Sequence, residues 1–577
     1  MVTGPAEPHG SGVTPGAAVR RALRARTEIG LLDVRPEGPF AEGHPLFAAS
    51  FPAGRLEAEV LDRLPRRSVP LVVYGDGEQD ATAAAGRLRG LGYRDVCVLE
   101  GGLAGWVAGG GELFRDVNAP SKAFGELVEA TAGTPAVAAA ELRALLSRGA
   151  DVVVVDARRF EEYAAMSIPT ATSVPGAELV MRAGELAPDP ATLVVVNCAG
   201  RTRSIIGTQS LINAGLPNRV MALRNGTIGW ALAGLELDHG QDRRAPEVPP
   251  EAARRADTAA WTVARKAGAG RITAAVLRSV LERGDRTVYR FDVRSPGEYA
   301  EGHPAGFRSA PGGQLVQETD WFAPVRGALV VLAGDGGGRA AMTASWLAQM
   351  GWEVAVLERG AGGSARDADP GGSAGDGDPG ADPGADPGAD PGADPGADPG
   401  ADAVETGPGA PAWPAPPELP LADPAEVDGW LRDGQAAVVD VDSSRQYLAG
   451  HVPGSAWALR TDLSRAGWPG FSRAGWPGRL VLTSADGTLA RFAAADVPAR
   501  PGIRVLVLDG GTAGWARSGR PLDSGPAEML SPEVDVYRRP YEGTGVDPAA
   551  MQAYLDWEYG LVAQLERDGT HGFTVLT

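Results

Sequence analysis

The chain has 577 residues, a formal net charge of −19 and only two cysteines, Cys97 and Cys198. That length calls for several domains, and two cysteines exclude a disulfide-stapled scaffold or a cysteine-rich zinc or iron–sulfur module. Six scattered histidines show no zinc-ligand spacing, the acidic balance argues against nucleic-acid binding, and no uncharged run is long enough to span a bilayer. The expectation is a soluble cytoplasmic protein with no metal, cofactor, nucleic-acid or membrane partner.

In chain order, the first apolar β-type run ends at Asp33, followed by Arg35, Phe40 and His44. A second run, 70–74, leads into a turn at Gly75, an Ala-rich helix, a short strand around Cys97 and a Gly-x-x-Gly-Trp turn at 102–106. The same order returns three times. Asp156 is followed at the same offsets by Arg158, Tyr163 and Ser167, and the run 192–197 leads into Cys198. Asp292 is followed by Arg294, Tyr299 and His303, with 329–333 leading into Gly334. Asp440 is followed by Asp442, Tyr447 and His451, with 480–483 leading into Ser484.

Between the third and fourth copies, 366–402 consists largely of Ala-Asp-Pro-Gly units. Pro at every fourth position forbids helix or sheet and Asp repels Asp, so a disordered, extended tether is expected. It holds ten Asp against one Arg, nearly half of the net charge, so the acidity says little about a substrate. The tether suggests that the fourth copy is held more loosely than the others. Ser-Arg-Ala-Gly-Trp-Pro-Gly at 464–470 and again at 472–478 reads as a duplication in a loop. Farther on, Met551, Tyr554, Leu555, Leu561, Val562 and Leu565 give 548–568 a helical stripe, expected to pack as a terminal helix.

Strands alternating with helices give an α/β chain of four tandem domains, each a mainly parallel sheet flanked by helices. Their expected bounds are 13–116, 132–242, 262–362 and 418–525, with a linker at 363–417 and a helical tail at 526–577. In such sheets ligands bind at loops on the carboxyl ends of the strands. In the second copy that loop is Cys198, Ala199, Gly200, Arg201, Thr202, Arg203 and Ser204, set between a buried strand and a helix N-terminus. Backbone N–H groups of the loop can curl around the sulfur, the helix dipole adds positive potential, and Arg201 and Arg203 add two charges. The cysteine pKa is therefore expected to fall. A thiolate ringed by donors can attack a sulfur or phosphorus centre carried on an anion.

Other candidates have blander readings. Cys97, bracketed by apolar residues in mid-strand, reads as a core thiol. The Asp156 and Arg158 pair recurs in copies without the loop cysteine, which favours a strand-end ion pair over direct chemistry. His44, His303 and His451 stand where the cysteine copy has Ser167, so a histidine there is not needed by Cys198. A turn residue bonded to backbone fits better.

The Asp-x-Arg strand ends, the Glu162-Tyr163 and Glu298-Tyr299 pairs, the Gly-His-x-Pro turn at 450–453, the Cys-x4-Arg loop and the terminal Gly-Trp resemble the rhodanese (sulfurtransferase) superfamily. As a whole the chain is similar to bacterial rhodanese-related proteins with four tandem modules. The resemblance implies a persulfide on Cys198, loaded from thiosulfate or a similar small anionic sulfur donor and passed to a thiol, cyanide or protein cysteine. By that mapping the amides of Ala199 to Arg203 stabilise the sulfur, Ser204 completes the loop, and Arg201 with Arg203 docks the donor. The other copies carry Gly75, Gly334 and Ser484 at the cysteine position and are expected to be inactive.

Two other classes remain open. A cysteine phosphatase or arsenate reductase also places a cysteine and an arginine around an oxyanion, but its loop typically encloses one residue more than the four between Cys198 and Arg203. A non-catalytic scaffold or sulfur sensor is suggested by the three copies that lack a cysteine.

Overall fold

Runs such as Val152–Asp156, four valines closed by Asp, form strands because β-branched side chains suit a pleated surface covered on both faces. The computed structural model describes residues 12–358, 403–409, 412–464, 478–539 and 547–577. In the second module the strands lie in the order Ala136–Val137, Val220–Leu223, Leu193–Asn197, Val152–Asp156, Thr172–Ser173, all parallel. The other three sheets repeat that order, starting from Val13–Thr14, Gly270–Ile272 and Leu421–Ala422. Register repeats as well. Asp33, Asp156, Asp292 and Asp440 pair with Tyr74, Asn197, Ala333 and Thr483, the residues just before the four loops. Each strand-end carboxylate is thereby set at the base of a loop.

Three segments extend this plan. Val325–Arg326 of the third module joins the first module's sheet, antiparallel to Ile29–Asp33. Glu528–Met529 joins the fourth sheet beside Ala456–Trp457, beyond the expected boundary at 525. The end of the expected 363–417 linker, past the 366–402 tether, is also ordered. Val404–Glu405 pairs antiparallel with His303–Pro304, and Trp413 stacks on Phe492 with ring centroids 6.0 Å apart. The physical reason is local: the four-residue proline repeat stops at Pro399, which frees the following backbone donors to pair. The Ala-Asp-Pro-Gly units, and most of the duplicated stretch at 464–478, lie outside the described residues.

The modules pack directly on one another. One continuous core takes in the first and third modules, Ile205 and Ile206 of the second, and Leu561, Leu565 and Phe573 of the tail. Between the second and third modules, Trp346 Nε1 donates to Ser210 Oγ (2.8 Å), and Gly176–Glu178 lies against Gly312–Gln317. The fourth module is not loosely held. Arg460 reaches Glu57 of the first module at 2.6 Å with both side chains buried, and Gly38 N donates to Val534 O at 2.8 Å. Glu57 also accepts from Arg87, and the two arginines hold its carboxyl below the usual range against burial. Within the described residues, no helix is long and apolar enough to cross a membrane.

Candidate active site

Cys198 follows Leu193–Asn197 directly and precedes the helix Thr202–Asn213, and only 2% of its surface is exposed. The loop is pinned from one side by the helix Gly226–Leu232: Thr227 N and Oγ1 donate to Cys198 O (2.9 and 3.0 Å), and Ile228 N donates to Ala199 O (2.9 Å). This contact explains the conserved-offset Gly-Trp turn. Gly226 has φ +53°, and a Cβ there would run into the carbonyls of Cys198 and Gly200. On the sulfur side, the Cys198 thiol lies 3.5 Å from Ser204 Oγ, which itself donates to Arg201 O (2.7 Å).

The two loop arginines part company. Arg203 forms a forked pair with Glu162 (2.7 and 2.9 Å), and that pair holds Glu162 well below the usual carboxylate range despite burial. Arg203 is also the largest charge favouring a Cys198 thiolate. Arg201 turns elsewhere. It is caged by Glu126 (2.6 and 2.8 Å), Glu129, Asn225 Oδ1 (3.1 Å) and Tyr559 OH (2.9 Å), with its guanidinium 4.1 Å from the Tyr559 ring centre. In this arrangement Arg201 braces the loop against the tail, and of the two expected donor-docking arginines only Arg203 stands beside the sulfur.

The expected fall in the cysteine pKa is overturned. Burial pushes the Cys198 thiol up, outweighing Arg203 and the Ser204 hydroxyl and N–H, which favour the thiolate. Sequence spacing pointed to Arg203 and the Ser204 N–H but also to Arg201, which turns away, and it could not weigh any of them against complete desolvation.

Asp156 and Arg158 form a two-point pair, with Nε to Oδ1 at 2.9 Å and Nη2 to Oδ2 at 2.8 Å, and Arg158 then donates to Met166 O (2.6 Å). Arg35 ties Asp33 to Gly43 O, and Arg294 ties Asp292 to Gly302 O, in the same way. Asp156 also accepts from Asn197 Nδ2 (2.8 Å), which fixes the residue before Cys198. The histidines stack on the aromatic residue four positions earlier, with ring centroids 3.9 Å apart for His44, 3.6 Å for His303 and 4.1 Å for His451. Cys97 is buried within the strand Val96–Leu99.

Comparison with known proteins agrees with this geometry. Residues 17–109, 138–233 and 273–363 match the model of the rhodanese-like domain family. The crystal structure of a thiosulfate sulfurtransferase from Pseudomonas aeruginosa is 51% identical, with 98% of this chain and 100% of that chain covered and a TM-score of 0.88. The chain belongs to the rhodanese family. It is a sulfurtransferase of that family, with tandem modules, and the repeated strand order places the fourth sheet in the same fold.

Two other matches are shorter, each covering less than a fifth of this chain. The HTH-type transcriptional regulator Rv0324 of Mycobacterium tuberculosis is 36% identical over 110 residues, so this chain spans 47% of that curated relative and 19% of itself is covered. The Alr3790 protein from Anabaena sp. is 29% identical over 18% of this chain and 83% of that chain, with a TM-score of 0.18.

Around the rhodanese loop stand residues that the sequence did not assign to the site. Glu126 and Glu129 come from Ala119–Ala132, a helix between modules, and Tyr554, Glu558 and Tyr559 come from the tail helix Pro548–Tyr559. Glu558 Oε2 would lie 3.4 Å from a Cβ on Gly200, and burial pushes its carboxyl up to about 8. Arg203 lines a cleft of about 980 Å³ where the first three modules meet, and Glu298 and Arg339 of the third module line it too.

Proposed function

We propose that the chain transfers sulfane sulfur from thiosulfate or a similar small anionic donor to a thiophilic acceptor through a persulfide on Cys198. The observation that carries this reading is the single cysteine among four equivalent strand-to-helix loops, with the Ser204 hydroxyl 3.5 Å from its sulfur and Arg203 as the adjoining loop charge. The Cys198 thiolate attacks the outer sulfur of the donor, the donor's S–S bond breaks, and sulfite leaves with the bonding electron pair. The acceptor then takes the outer sulfur and Sγ is regenerated as a thiolate.

In this scheme Arg203 trades Glu162 for the donor's sulfonate, and the amides of Ala199, Gly200, Arg201, Thr202 and Arg203 receive the persulfide charge with the Ser204 hydroxyl. Asp156 and Arg158 hold the loop base. The catalytic module is 132–242, and 13–116, 262–362 and 418–525 carry no sulfur because Gly75, Gly334 and Ser484 replace the nucleophile. The test is thiocyanate formation from thiosulfate and cyanide. Cys198→Ser abolishes it and Cys97→Ser does not, and thiosulfate adds the mass of one sulfur to the Cys198 peptide alone. Equal loss in both variants, or phosphatase turnover without sulfur transfer, overturns the reading.

A further inference from the structure

The cleft beside Arg203 is far larger than an inorganic donor needs, and modules without a loop cysteine build much of its wall. Its volume of about 980 Å³ is in the range of sites for whole organic ligands. Nine arginines and six carboxylates line it. Most of these arginines are held in ion pairs, but two are available at the rim. Arg244 is exposed, lies flat over Phe160 at 3.2 Å from the ring centre, and has no carboxylate partner among the described residues. Arg159 is 57% exposed and meets Glu162 only at 3.5 Å.

The far wall adds two unmet groups from other modules. Arg63 Nη2 of the first and Asp320 Oδ1 of the third are buried with no hydrogen-bond partner, and each feels the other's charge. Trp321, 44% exposed, and Phe160 give the cleft apolar faces between these polar ends. The two rim arginines, an aromatic wall and a donor–acceptor pair suit an organic anion with more than one polar group.

We propose that this three-module cleft seats the sulfur acceptor, and that the acceptor is a small organic thiol carrying two or more carboxylates. The assignment rests on the sulfur-transfer reading and gives the cysteine-less modules a part in it. Arg159 and Arg244 hold the carboxylates, and the thiol lies toward Arg203, the residue shared by the cleft and the sulfur site. The acceptor thiolate attacks the outer sulfur of the Cys198 persulfide. The bond from that sulfur to Sγ breaks, its electron pair returns to Sγ as thiolate, and the product is the acceptor's persulfide, which keeps the negative charge the outer sulfur carried. No external oxidant or reductant is required.

The probe is 2-mercaptosuccinate, with 2-mercaptoethanol as its uncharged counterpart. Calorimetric titration of full-length Cys198→Ser, which cannot turn over, separates binding from chemistry. Mercaptosuccinate is expected to bind at least about tenfold more tightly than mercaptoethanol, and Arg159→Ala with Arg244→Ala to remove that preference. In the cysteine-containing protein, the same two changes lower the ratio of kcat/KM for mercaptosuccinate to that for mercaptoethanol by a similar factor. Equal affinity for the two thiols, or a preference that survives both substitutions, overturns the cleft assignment while leaving cyanide turnover intact. Absence of thiosulfate–cyanide turnover in the unmodified protein overturns the transfer reading itself, and the acceptor role with it.

Discussion

The second and third modules share a sheet order, a strand-end Asp–Arg pair and a Glu–Arg clamp, and they differ where a nucleophile stands. In the second, Cys198 is followed by Ala199, and Arg203 pairs with Glu162. In the third, Gly334 is followed by Asp335, and Arg339 pairs with Glu298 (2.8 Å), with Glu178 of the second module (3.3 Å) and with Asp335 itself. Arg339 and Ser295 pull Glu298 down to about 2. The third loop thus carries its own anion, whereas the second has a sulfur there and no loop carboxylate. The conserved ion pairs are framework. On the proposed reading, chemistry depends on one sulfur atom and on the loop's freedom from built-in negative charge.

The strongest way to break that comparison is to remove the sulfur. Cys198→Ser is expected to lower thiosulfate–cyanide turnover by at least about a thousandfold, since the other three loops carry no cysteine. Removing the charge beside it comes next. Arg203→Met is expected to cost about a hundredfold in kcat/KM for thiosulfate, the scale of losing one preorganised anion-stabilising group. It also changes the pH profile. Attack needs the thiolate, and burial raises the thiol's pKa, so kcat/KM climbs with pH and is still climbing above pH ~8.5. Without Arg203 the largest opposing charge is gone and the rise moves to still higher pH. A profile unchanged by Arg203→Met would show that the clamp serves structure alone, as it does in the third module.

A smaller contrast separates framework from chemistry within the strand-end pairs. Asp156→Asn and Asp292→Asn each leave an arginine short of its counter-charge, and each should cost about 3–5 kcal/mol, read as a similar fall in Tm. Only Asp156→Asn touches the sulfur. Asp156 raises the Cys198 pKa, so its neutral replacement shifts the kcat/KM rise to lower pH. A shift of equal size from Asp292→Asn would contradict the separation.

Much of this contrast was legible before any coordinates. Fixed offsets from Asp33, Asp156, Asp292 and Asp440 located four sheets, because each offset is a physical contact: Asp to Arg, and aromatic ring to histidine. The Glu162–Arg203 clamp went unread, although its signal was readable. Glu stands six residues after the strand-end Asp only where the loop keeps its arginine, in Glu162 with Arg203 and Glu298 with Arg339, against Pro39 with Asp80 and Gln446 with Leu489. The cage around Arg201 was not, since Glu126, Glu129 and Tyr559 lie in segments outside the repeat and meet only after the modules and tail have packed. Nor was the direction of the Cys198 pKa, because burial depends on neighbours distant in sequence. The fourth module's attachment escaped for the same reason: Arg460 and Glu57 are separated by nearly the whole chain.

The comparison predicts its smallest effect where a nucleophile is restored. Gly334→Cys in a Cys198→Ser background puts a sulfur at the equivalent position of the third loop, and no recovery of turnover is expected. Three features oppose it. A Cβ on Gly334 would lie 2.9 Å from the Ala340 Cβ, so the loop has closed over the space a side chain needs. The neighbouring Asp335 carboxylate disfavours a thiolate, and Arg339, which could offset it, is already shared among three carboxylates. Mass spectrometry of the third-loop peptide after thiosulfate treatment should therefore show no added sulfur. Uptake there would mean that a cysteine alone makes a rhodanese loop active. If uptake appears only after Asp335→Ala is added, the built-in anion is the decisive difference between the two modules, ahead of the steric closure at Ala340.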